Sequence, residues 1–169
     1  MRDERFIAVH RGGPLSLKKH QMLAAWAAKC AERVLPLFDV TSQDDRPRKA
    51  IETAKAWARG EVSVGEAQRA AVAAHAAARE ATSRPAIAAA RAAGHAVATA
   101  HMADHSLGGA IYGCKAVEAN GGAAERERAW QLKHAPVAIR ELVESGLEKK
   151  RTSGTTKQKI RAARRASDK

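Results

Sequence analysis

Apolar side chains recur at helical spacing along most of this chain and alternate almost nowhere. The clearest stripe, Leu23, Trp26, Ala27, Cys30 and Val34, follows i, i+3, i+4, i+7 and predicts a helix from an N-cap at Ser16 to about Leu35, limited by Pro36. Asp45 before Arg46-Pro47 reads as the N-cap of a second helix over about 46–59, with Ile51, Ala54, Trp57 and Ala58 inward and Gly60 as its stop. Ser63-Val64-Gly65-Glu66 has the form of a capping box and opens a third helix to about Ala81. Ser83-Arg84-Pro85 starts a fourth, which is expected to reach about Asp104. Gly108-Gly109 predicts a bend before a helix over about 110–119, and Asn120-Gly121-Gly122 ends that helix. A sixth covers about 123–134. Beyond Pro136 a last one carries Val137, Ile139, Leu142 and Val143 to Ser145-Gly146.

Composition tests whether such a chain folds. It has 40 alanines in 169 residues, while Leu, Ile, Val and Phe together number only 27, below the roughly 20% at which disorder becomes the expectation for a charged chain. Alanine, however, has the highest helix propensity and loses no rotamer entropy. Alanine faces let helices approach closely, and Trp26, Phe38, Trp57, Tyr112 and Trp130 can fill the gaps between them. The expectation is an all-α fold, a compact bundle of about six or seven helices over residues 16–148. Residues 1–15 precede it as an extended arm, in which Phe6-Ile7-Ala8-Val9 could form a short strand.

Charge divides the chain once more. The formal net charge is +12, and residues 149–169 hold nine cations against the single acid Asp168. Eight of the twelve excess charges therefore sit in a segment with no large apolar residue except Ile160, read here as a disordered basic tail. Lys149, Lys150, Arg151, Lys157, Lys159, Arg161, Arg164 and Arg165 are its candidate contacts to nucleic acid, through phosphates and without sequence preference.

No apolar run reaches the 18 residues of a membrane span, and the N-terminal apolar stretch is too short for a secretory core, so no membrane partner and a cytoplasmic location are expected. Cys30 and Cys114 lie in apolar helical patterns and read as free buried thiols. No Ser–His–Asp order, nucleophile elbow or P-loop occurs, no cofactor is implied, and the chain does not read as an enzyme. His101 and His105, at i, i+4 on the fourth helix, are the one spacing that suggests metal ligands, although no HExxH accompanies them. His75 and His95, set among alanines, are candidates for a small ligand or for helix-interface hydrogen bonds. Asp44, Asp45, Arg46 and Arg48 form a charged loop that could meet a partner or neutralise itself.

The string Leu23-Ala24-Ala25-Trp26-Ala27-Ala28-Lys29-Cys30-Ala31-Glu32-Arg33-Val34-Leu35-Pro36-Leu37-Phe38 resembles the opening of a bacterial family of putative immunity proteins. The likeness continues through Asp45–Glu52, Ala56–Glu61, Ala73–Arg79, Ala89–Ala96 and Ala98–His101, and ends near Tyr112, Lys115-Ala116-Val117 and Trp130-Gln131. It covers about 16–145. The resemblance implies an all-α intracellular protein that works by binding, masking a toxin or another protein partner, and it brings no catalytic motif. Two further partners are expected from the residues themselves: nucleic acid on the tail, and a second copy of the chain, since an extended arm needs something to pair with.

Overall fold

The computed structural model describes the backbone of residues 3–167 and the side chains of residues 3–154. Its helices are α1 (Leu17–Val34), α2 (Pro36–Asp39, a single turn), α3 (Arg46–Ala58), α4 (Val64–Glu80), α5 (Arg84–Ala98), α6 (His105–Ala119), α7 (Ala124–Lys133) and α8 (Val137–Ser167). No strand is present among the described residues, and the all-α expectation holds.

The start signals act largely as read. Ser16 accepts from the Lys19 amide, Ser83 accepts from the Ala86 amide, and Ser63 and Glu66 cap each other's backbone in a complete capping box. Asp45 is an exception, because its side chain makes no cap bond. Asp44 Oδ1 accepts from the Arg46 amide instead, at 3.0 Å, and Asp45 pairs with Lys49 one turn on.

Helix α5 is the centre of the molecule. Ten of its fifteen residues are buried, which happens only to a helix with neighbours on most sides; it packs against α1, α2, α3, α4 and α6. Eight of those ten are alanines, so surrounding helices can close on it. Trp26, Phe38 and Trp57 are buried in the same core, as expected, whereas Trp130 and Tyr112 are half-buried at its edge.

Four features differ from the sequence expectation. The fourth helix ends at Ala98 rather than Asp104, and His101 lies in the turns that join α5 to α6. Gly108 and Gly109 do not bend the chain but lie within α6. The arm is not extended: it forms turns at Glu4–Phe6 and Val9–Arg11 and a single parallel bridge between Ala8 and Leu15. Its backbone partners are therefore in its own chain, and Phe6, 1% exposed, packs on α6 and α8 beside Leu107 and Gly146. The reason for expecting a second copy goes with that pairing.

The last difference is α8, which does not stop at Gly146. Ile139, Val143 and Leu147 are its buried stripe, with Val137 81% exposed rather than inward. Gly146 is buried in mid-helix because its missing side chain leaves the room that Phe6 and Leu107 occupy against α8, and no proline follows to stop the helix. The helix thus continues into the segment set apart from its composition as a tail.

Candidate functional site

Two glycines explain how the histidines of neighbouring helices meet. A Cβ on Gly94 of α5 would come within 2.7 Å of the His75 ring of α4, and a Cβ on Gly108 of α6 would come within 2.7 Å of His95 Nδ1 of α5. Each glycine costs its helix up to about 1 kcal/mol in propensity and makes a notch in which one imidazole sits. The result is a chain of half-buried rings across three helices and the α5–α6 turn. His75 meets His95 edge-on at 5.1 Å between centroids, and His105 meets His101 at 5.1 Å. His95 and His105 approach Nδ1 to Nδ1 at 3.3 Å, so one ring donates there and the other accepts.

Burial favours the neutral form of His75, His95 and His105. It pushes His75 and His105 below the ordinary histidine pKa, and it takes His95 down to about 4, with His75, His105, Arg91 and Lys150 adding their repulsion. Among the described residues no group of three or more His, Cys, Asp or Glu is placed to hold a metal ion.

The chain of rings ends at Tyr112 of α6, which stacks on His95 with a 13° interplanar angle and 5.1 Å between centroids. Tyr112 forms part of a groove of about 630 Å³ between α5 and α6, together with Arg84, Ile87, Arg91, Lys115 and Glu118. Lys115 Nζ lies 4.8 Å from the ring centre and the Arg91 guanidinium carbon 5.9 Å from it. No ion pair joins Arg84, Arg91 or Lys115 to a carboxylate among the described residues. Glu118 is the one acid in the lining. The sequence signal for this group is spacing alone: Arg84 and Arg91 are seven apart on one helix face and Lys115 is one turn after Tyr112.

The charged loop is arranged differently. Arg46 pairs with both Asp44 and Glu80, Arg48 with Asp39, and Lys49 with Asp45 at 2.7 Å. The Arg46 guanidinium holds the Asp44 carboxyl below the usual carboxylate range. Asp44, Asp45, Arg46 and Arg48 are thus brought together as a self-neutralised cluster that ties the start of α3 to the end of α4.

A family model, described as Imm-5 like putative immunity protein, matches residues 13–138. The chain belongs to that family. No curated protein and no solved structure matches it. The family match takes in α1 to α7, and with them the histidine chain, the groove and the charged loop, and it ends just inside α8. It leaves the basic segment of this Imm-5 like chain outside.

Of that segment, only Lys149, Lys150 and Arg151 have described side chains; Lys157, Lys159, Arg161, Arg164 and Arg165 lie outside the described residues. Lys149 faces Asp3 at 3.6 Å, and Arg151 pairs with Glu148 one turn back. No described helix is long and apolar enough to cross a membrane. Cys30 and Cys114 are free thiols, Cys30 buried and Cys114 half-buried; burial raises both, Cys114 to about 11, which favours the protonated thiol.

Proposed function

We propose that this protein acts by binding rather than by catalysis, masking a protein toxin made beside it. Membership of the immunity-protein family over residues 13–138 carries the reading. What the fold contributes is a rigid surface. Helix α5 is held on most sides, and the groove that α5 and α6 leave outside carries three cations to one acid, with the Tyr112 ring among them. Such a face suits steric occlusion of a partner, since little ordering is lost on docking. The charged loop of residues 39–48, internally paired, favours a structural role over a recognition role.

The test is to express the protein encoded beside this gene in a susceptible host, with and without this chain. Growth restored by co-expression, together with co-purification of the two proteins, is the expected result. A chain that neither protects the cell nor co-purifies with its neighbour's product does not have this function.

A further inference from the structure

The α5–α6 groove has a chemistry that narrows the kind of partner, given the reading above that the protein masks another protein. We propose that the groove around Tyr112 is the docking surface, and that its occupant is an acidic segment of a foreign protein whose carboxylates meet Arg84, Arg91 and Lys115.

Three observations lead there. The first is charge left unspent. In the loop of residues 39–48 every cation has its acid, whereas three cations converge on the groove and lack ion pairs to described carboxylates. Arg84 also opens α5, so the positive end of that helix's dipole adds to the field at one end of the groove.

Preorganisation is the second. The Tyr112 ring is stacked on His95, which sits in the notch left by Gly108 and shares a hydrogen bond with His105. Tyrosine and arginine set in a rigid frame are the residues that most often anchor protein interfaces. The partner finds the ring and Lys115 already in place.

The third is exclusion. A second copy of a chain carrying +12 is repelled by a cationic groove, and the chain's own residues 149–169 carry nine cations and so cannot neutralise it. An acidic foreign protein is the complementary occupant.

The experiment uses the full chain and poly-L-glutamate as the acidic probe, followed by NMR at the Tyr112 ring and the His95 Cε1–H. Both signals should shift and saturate on titration; because Lys150 acts on His95 and a polymer on the C-terminal cations could also move that signal, the variants decide where the polymer sits. In R91E/K115E the apparent Kd read at these signals should rise at least tenfold. In K18E/K19E, which changes net charge equally on α1, it should stay within threefold. Circular dichroism checks the fold of each variant, and R91Q/K115Q, without charge reversal, should weaken the same signals in the same direction.

Wild-type signals that stay still, or equal losses in the two charge-reversed variants, overturn the proposal. So does a DNA duplex that shifts Tyr112 with the same dependence on Arg91 and Lys115, since the groove would then be a general polyanion site. Failure here is separable from failure of the masking function. If wild-type chain protects the host and R91E/K115E protects equally well, the groove assignment falls and the function stands.

Discussion

At the residue scale, Gly94 and Gly108 reverse an ordinary expectation. Both lie inside helices, where alanine is the better helix former by up to about 1 kcal/mol. Yet the methyl group of G94A would press on the His75 ring, and that of G108A on His95 Nδ1, each at 2.7 Å, and His95 is held among His75, His105 and Tyr112. Overpacking of this kind costs typically about 1–3 kcal/mol and exceeds the propensity gain. Both variants should unfold at lower urea concentration than wild type, and the Tyr112 ring signal should move in G108A because His95 supports it. An increase in stability in either would mean that the imidazoles yield readily and that the ring chain is not a rigid frame.

His20 shows the same logic: its spacing from Leu23 and Ala27 puts it on the apolar stripe of α1, but its partner is not visible in the sequence. It is buried on α1, with Nε2 2.6 Å from the Thr99 carbonyl oxygen, to which it donates, and its ring is tilted over Trp57 at 4.8 Å. Only the return of the α5 C-terminus to α1 gives it a carbonyl.

At the element scale, the N-terminal arm and α8 hold each other. Phe6 is fully buried against Leu107 and the Gly146 notch, and the Arg5 guanidinium donates to Ser145 Oγ at 2.9 Å. Phe6→Ala should therefore cost about 3–5 kcal/mol, as for other buried aromatics, although the residue lies six positions from the N-terminus. Urea unfolding followed by circular dichroism measures it; a loss under 1 kcal/mol would show that the arm is only loosely seated. For α4, Ser63→Ala breaks the capping box and should cost about 1 kcal/mol, because Glu66 then caps alone.

Helix identity was legible in the sequence at this scale wherever a cap or a proline stood at the start. Ser16, the Ser63/Glu66 pair and Ser83 are local devices that need only their own next turn. Ends were less legible. The α5 terminus at Ala98, the passage of α6 through Gly108-Gly109 and the continuation of α8 past Gly146 all depend on what packs alongside. A glycine that faces another helix's side chain reads, in one dimension, like a glycine that stops a helix.

At the scale of the whole molecule, buried neutral histidines make stability depend on pH. His20, His75, His95 and His105 all have folded-state pKa values below the ordinary value of 6.5, His95 at about 4, with burial as the main cause in each. Between those values the unfolded chain binds protons that the folded chain does not. Stability is then fully present above pH 6.5 and falls as the pH drops towards 4. The largest slope is about 1.4 kcal/mol per pH unit for each such histidine, and partial exposure of the rings makes the real one smaller. Positive neighbours reinforce the direction: Arg79 and Arg91 on His75, and Lys150 on His95 and His105, with Asp104 alone opposing at His105. Urea midpoints at pH 7.5, 5.5 and 4.5 should decline in that order, and a flat profile above pH 5 would contradict the burial of these rings. The Asp3 carboxyl, held down to about 2 by Arg5, adds its own loss only at pH values nearer 4 and below.

The sequence by itself determined that this chain is helical, because alanine propensity, apolar spacing and side-chain caps all act within a few residues. It also carried the family, whose motifs are read in order along α1 to α7. Which polar residues meet was decided only in three dimensions. His75, His95 and His105 come from three helices and meet only because two glycines admit them, and the groove around Tyr112 exists only where α5 lies beside α6. The charged loop, conspicuous in the sequence, turned inward on its own acids, whereas Arg84, Arg91 and Lys115, inconspicuous there, form no ion pair among the described residues. Charge is additive along a chain, but whether a charge is satisfied depends on distances in space.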